Sequence, residues 1–215
     1  RRKCRFAACD SNSFNNYLRN MQSVLKQTKS MDVLHLKIND EAELVQLREE
    51  DAEVVFALIE KNRSFIGKWL PWVEKTQTVN DERAFLKSVN DGNRRNGEMV
   101  FGIFLNKSLV GVIGINQINK EANYAEFGYW LDENATGKGS MTNAVYRLMQ
   151  HCFEDLGINR VGIYASEENA KSRAVIERAG CSFEGILKEY VRVNGEYHNA
   201  AMYGMLSKDF KKQKK

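Results

Sequence analysis

The stretch that most restricts this chain is AEFGYWLDENATGKGSMTNAV, residues 125–145. A β-rich run enters a polar turn, and Gly137-Lys138-Gly139 opens a segment with helical spacing. Such a turn lets backbone N–H groups at a helix start converge on an anion. The absent Cβ atoms permit close approach, and the helix dipole adds attraction. The site therefore favours a phosphate or pyrophosphate. A Walker A loop is excluded because Gly139, not Ser or Thr, follows Lys138, and a Rossmann fingerprint is excluded because Thr142 stands where a third glycine belongs. In the strand before the turn, Glu126 lies between apolar neighbours and by alternation shares a face with Gly128 and Trp130. A carboxylate on a central strand is costly unless it is paired, hydrated or functional. Burial would raise its pKa and suit it to act as a base near neutral pH, whereas an ion pair would make it structural.

The flanking sequence divides into strands and helices by period. Residues 33–38 and 44–48 alternate as short strands. Asp51 precedes a helical stripe at residues 54, 55, 58 and 59, and a second helix is expected over about 79–95. SFIGKWLPWV between them reads as a loop or short helices, broken by Gly67 and Pro71. MVFGIFL, SLVGVIGIN and NYAEFGYWL form an antiparallel meander. The helix after the glycine turn has apolar residues at 141, 145, 148, 149, 152 and 153 and stops at Gly157. It leads to a buried strand RVGIYAS, then to a helix entered at Asn169 and stopped by Gly180. A final hairpin turns at Asn194-Gly195. A helix linking two strands makes them parallel neighbours. The fold class is α/β (α+β): a single domain with a mixed, mostly antiparallel sheet of about seven strands and about four helices.

Charge is divided unevenly. Residues 1–30 carry +6, residues 208–215 carry +4, and residues 31–207 carry −6. The basic character sits in the tails, which argues against a folded nucleic-acid-binding face and suits a cationic or amine substrate. The expected division is a leader or expression remnant at 1–30 with Met31 as the favoured start, a domain at 31–207, and a Lys-rich tail at 208–215. Cys4, Cys9, Cys152 and Cys181 have neither CxxC nor Cys/His ligand spacing. No metal site or disulfide framework is indicated, and free thiols fit a reducing cytoplasm. No apolar run approaches the ~20 residues of a membrane helix.

Three ordered stretches carry a family resemblance: residues 125–145, NRVGIYASEENAKSRAVIERAG, and FEGILKEYVRVNGEYHNAAMY. Together they resemble the GNAT superfamily of N-acetyltransferases, and more narrowly its ribosomal-protein (RimJ/RimL-like) branch. The resemblance covers about residues 40–207. It implies a V-shaped splay between the strand ending near Leu131 and the strand at 160–166, with the pantetheine arm of acetyl-CoA in the gap along Trp130 and Leu131. The pyrophosphate would rest on the amides of Gly137, Lys138, Gly139, Ser140, Met141 and Thr142. Asn169 would hold the pantetheine arm near the thiol, although taken alone it reads first as a helix cap. Glu126 matches the strand carboxylate that serves as general base in some relatives. The thiolate-protonating Tyr of many relatives is replaced by Ile176, so Ser172 is the candidate donor. Asn199 stands where Asp is common. The family needs no metal.

On the acceptor side, Trp69 and Trp72 fall where relatives border the acceptor cleft. Glu98 is a candidate ammonium ligand or second base, and His198 lies in a family-like stretch. The implied reaction is acetyl transfer from acetyl-CoA to a primary amine by direct attack in a ternary complex. The acceptor could be the N-terminal α-amine of a ribosomal protein or, alternatively, a small-molecule amine; a CoA-binding module without turnover is a further alternative. Many relatives dimerise, so a homodimer is compatible with the resemblance, although no interface patch is legible.

Overall fold

A computed structural model describes residues 33–90 and 97–213. The leader assigned to 1–30, with Cys4 and Cys9, lies outside the described residues. Eight strands form one sheet: β1 (His35–Lys37), β2 (Ala42–Gln46), β3 (Met99–Leu105), β4 (Ser108–Asn119), β5 (Tyr124–Leu131), β6 (Arg160–Ser166), β7 (Ser182–Val193) and β8 (Glu196–Leu206). Their order is β1-β2-β3-β4-β5-β6-β8-β7. Neighbours are antiparallel except β5 and β6, which are parallel. The helices are α1 (Ala52–Ile66), α2 (Val79–Asn90), α3 (Ser140–Gln150), α4 (Ala170–Arg178) and α5 (Ser207–Gln213). Eight strands and five helices thus stand where about seven and about four were expected.

Alternation sorts side chains onto the two faces of the sheet. Ala125 and Phe127 of β5 join the larger core with Met141, Val145, Leu148 and Ile176 of α3 and α4. Trp130 joins the second core with Val55 and Ile59 of α1 and Leu86 and Val89 of α2. The segment expected as a loop or short helices after residue 63 continues the preceding helix to Ile66 and then forms a 3-10 turn at Pro71–Glu74. Ile66 is buried and extends the apolar stripe of α1, so packing carries the helix past the point where local signals fade.

The Lys-rich end was expected as a tail from residue 208. It continues instead as α5, and its Phe210 is fully buried against Phe153 and Tyr146, with ring centroids 5.1 and 4.8 Å apart. One aromatic side chain, buried on a short amphipathic turn, offsets the repulsion among flanking lysines that face solvent.

Candidate active site

Two strands that should pair to their ends do not. β5 and β6 are in register from Tyr124 opposite Arg160 to Phe127 opposite Ile163, and there the pairing stops. β5 stays paired to β4 as far as Leu131, and β6 to β8 as far as Ser166. The facing edges of residues 128–131 and 164–166 are therefore left without strand partners, and they diverge into a cleft of about 1330 Å³ lined by both. This exceeds the ~300–1,000 Å³ of an ordinary small-ligand pocket, which leaves room for two ligands side by side.

The glycine turn closes one end of the cleft. Gly137 and Gly139 both have φ of 79°, a left-handed conformation that only glycine adopts without strain. No side chain caps the first turn of α3, so its leading N–H groups face the cleft uncapped. Thr142 Oγ1 is buried there without a hydrogen-bond partner. An orphan hydroxyl beside uncapped amides fits an anionic phosphate group. The turn is held to α1 by two contacts. Lys61 Nζ donates to Asp132 Oδ2 at 2.5 Å, and the Glu133 N–H donates to Asn62 Oδ1 at 3.0 Å. Lys138 is exposed and does not line the cleft, so its amide, not its charge, belongs to the turn.

Gly137, Gly139, Ser140, Met141, Thr142, Trp130, Leu131, Asn169, Ser172, Trp69, Trp72 and His198 all line this one cleft. Trp72 packs at a tilt on Trp130, with centroids 6.3 Å apart. Asn169 caps α4, its Oδ1 accepting from the Ser172 N–H at 3.1 Å. The Tyr129 hydroxyl donates to the Ser172 carbonyl at 3.1 Å and lies 2.9 Å from Ser172 Oγ. Burial pushes the Tyr129 phenol well above its ordinary value, so Tyr129 stays neutral and anchors Ser172. Ile176 is fully buried in the larger core and presents nothing to the cleft. His198 Nδ1 lies 4.0 Å from Glu168 Oε2.

Glu126 and Glu98 do not line the cleft. Glu126 sits at a β-bulge: Ile115 opposes Phe127 and Gln117 opposes Glu126, leaving Asn116 extra. The bulge puts Asn116 and Gln117 on the same face, and both hydrogen-bond the Glu126 carboxylate together with Tyr124. Burial raises the Glu126 carboxyl, and these three hydrogen bonds act against it. Asn116 does line the cleft and lies against Gly128, where any Cβ would collide with it. Glu126 thus reaches the cleft through its neighbour. Asn199 is committed elsewhere: its Nδ2 donates to Glu167 Oε2, and its Oδ1 accepts from the Glu189 N–H, both at 2.9 Å.

Sequence reasoning missed two groups. Asn116 was hidden because a bulge leaves no trace in alternation until the partner strand is known. Glu82 of α2 is only 5% exposed and lines the cleft, and burial alone raises its carboxyl to about 7. Its signal was present: Glu82, Leu86 and Val89 share one helical stripe, so Glu82 belongs on the buried face.

Among the described residues, no group of three or more His, Cys, Asp or Glu is placed to hold a metal ion, and no helix is long and apolar enough to cross a membrane. Cys152 and Cys181 are buried thiols, and burial pushes Cys181 up to about 12.

Comparison with known proteins gives the same answer from outside. Residues 42–182 match the model of the acetyltransferase (GNAT) domain. YdaF of Bacillus subtilis (strain 168), provisionally named a ribosomal N-acetyltransferase, is 33% identical over 181 residues, 83% of this chain and 98% of its own. Among solved structures, RimL, a ribosomal L7/L12 alpha-N-protein acetyltransferase in complex with coenzyme A, superposes with a TM-score of 0.77 at 26% identity, covering 80% of this chain and 98% of its own. The microcin C7 self-immunity acetyltransferase MccE, in complex with acetyl-CoA and AMP, superposes with a TM-score of 0.74 at 29% identity, covering 79% and 94%. A splayed parallel pair, a left-handed glycine turn at a helix start and a family match over most of the domain lead to one conclusion: this chain belongs to the GNAT acetyltransferases, on their RimL/RimJ-like branch, and is an N-acetyltransferase that uses acetyl-CoA.

Proposed function

We propose that the protein transfers the acetyl group of acetyl-CoA to the N-terminal α-amine of a ribosomal protein by direct attack in a ternary complex. The supporting observation is one large cleft lined both by the glycine turn and by Trp69, Trp72 and Trp130. Two ligands can therefore meet without leaving the protein. The ribosomal acceptor is suggested by YdaF and RimL, whose names carry it.

In this reading, the amides of residues 137–142 and Thr142 Oγ1 bind the pyrophosphate. The unpaired edges of β5 and β6 and the Asn169 side chain align the pantetheine arm. Glu126 accepts the proton of the acceptor amine through water beside Asn116, which leaves a neutral amine to attack. The N–C bond forms, and a backbone N–H near Gly128 to Trp130 stabilises the oxyanion. As the C–S bond breaks, the Ser172 hydroxyl gives its proton to the departing thiolate and takes the extra proton of the attacking nitrogen in its place, which leaves the amide and the CoA thiol, and Tyr129 holds that hydroxyl in position. The reaction runs in the cytoplasm, where free thiols persist.

The test is mass spectrometry of the full chain incubated with acetyl-CoA and a pool of peptides with free N-termini, spermidine and amino sugars. Acetylation of a peptide α-amine, slowed by about 10²-fold or more in Glu126→Gln and in Ser172→Ala, is the expected result. Exclusive acetylation of spermidine or an amino sugar would replace the ribosomal acceptor with a small-molecule amine. Acetyl-CoA binding with no product from any acceptor would instead indicate a regulatory module.

A further inference from the structure

The cleft contains a buried carboxyl that the proposed chemistry leaves unused. Glu82, in the first turns of α2, lines the cleft together with Val55 and Ile59 of α1, Phe85 of α2, Val100 of β3 and Val112 of β4. Its neighbours on α2 are satisfied. Asp81 accepts from the N–H groups of Gln77 and Thr78 and from the Thr78 hydroxyl, and Arg83 pairs with Glu53 of α1. The Glu82 side chain is buried and has no hydrogen bond or ion pair to a described residue. Its titration shifts by burial alone, with no charged neighbour contributing.

A carboxyl buried in apolar surroundings without a partner is unfavourable, and such a group is retained where a ligand completes it. The chemistry of that ligand is narrow. No second carboxylate or imidazole joins Glu82 in a set able to hold a metal ion among the described residues. A lone carboxylate flanked by Phe85, with Trp72 and Trp130 on the same cleft wall, suits an organic cation, since the carboxylate neutralises its charge and aromatic faces attract it. The substrate of an N-acetyltransferase arrives at neutral pH as such a cation.

We propose that Glu82 is the acceptor-recognition residue of this enzyme, receiving the ammonium group of the incoming amine before it is deprotonated. The inference rests on the reading that an amine acceptor occupies this cleft. It also separates two roles: Glu82 binds the charged amine, while Glu126, outside the cleft wall, takes the proton.

The test uses the full chain and a tetrapeptide Ser-Ala-Ala-Ala amide, whose α-ammonium is its sole charge, against its deamino counterpart. Affinities are measured by calorimetry in the presence of CoA, for wild type and for the isosteric Glu82→Gln. Wild type is expected to prefer the ammonium peptide by about tenfold or more, and the preference is expected to vanish in Glu82→Gln, as when one partner of a buried charge pair is removed. In turnover, Glu82→Gln should raise KM for the peptide by a similar factor while kcat stays within about threefold. Acetyl-CoA affinity should be unchanged, which shows that the variant is folded and the donor site intact. A preference for ammonium that persists in Glu82→Gln, or no preference in wild type, overturns the role of Glu82. Failure of the wild type to bind acetyl-CoA would overturn the acetyl-transfer reading itself, a separate and distinguishable result.

Discussion

Glu82 and His151 show how burial sets the behaviour of single side chains. The Glu82 carboxyl titrates near 7 in the folded protein against an ordinary 4.5. The folded state therefore holds its proton longer than the unfolded one. Its contribution to stability is present below pH 4.5 and is lost as the pH rises through 7. Glu82→Gln cannot ionise, so at pH 8 it should be more stable than wild type by up to about 3 kcal/mol, a difference that closes towards pH 4.5. Urea denaturation at the two pH values measures it. A gain in stability on removing a charged group marks a residue kept for function. His151 behaves in the opposite sense. Its imidazole is 3% exposed, Nδ1 lies 2.7 Å from Asp155 Oδ2, and Nε2 is buried without a partner. Burial lowers its pKa below 6.5, against the pull of Asp155. The stability it contributes is present above pH 6.5 and is lost as the pH falls towards its folded value. A proton NMR titration should place its midpoint below 6.5.

At the scale of elements, the glycine turn and the bulge do different work. Gly139 enters α3 with φ of 79° and nothing within 4 Å of an added Cβ. Gly139→Ala therefore meets no clash but must adopt a left-handed conformation, at about 1–2 kcal/mol. The expected outcome is a modest fall in thermal stability with a larger loss of acetyl-CoA affinity, because the amides proposed to meet the phosphates are displaced; calorimetry reads both. The turn was legible in the sequence, since glycines at a strand-to-helix junction have a local cause. The same holds for Ser172 and Asn169, three residues apart and so on one helical face. The bulge at Asn116 was not legible. It exists because Gln117, not Asn116, is opposite Glu126, and that register is a property of two strands together.

Across the whole molecule, the sheet divides the work between its faces. The face with α3, α4 and α5 holds the larger core and the face with α1 and α2 the second, and residues from both sides line the cleft. α5 is the last piece of that core. Phe210→Ala should destabilise the protein by about 3–5 kcal/mol, as for other buried phenylalanines, and thermal denaturation checks it. Ending the chain at residue 207 should do at least as much damage. A purely solvated Lys-rich tail would leave the melting temperature unchanged in both variants.

By itself, the sequence determined the element order up to the final hairpin, the parallel crossover and the glycine turn, and it carried the family resemblance. Each of these rests on periodicity or on local backbone chemistry, which neighbours in the chain dictate. Only the tertiary structure decided the remainder. It fixed Phe127 and Ile163 as the last pair before the splay that the resemblance implied, kept Glu126 off the cleft lining while Asn116 joined it, brought Glu82 from a distant helix to the cleft wall, and docked Phe210 into the core. These are contacts between segments far apart in the chain. Their energies depend on which surfaces meet and how much water they exclude, and no local pattern records that.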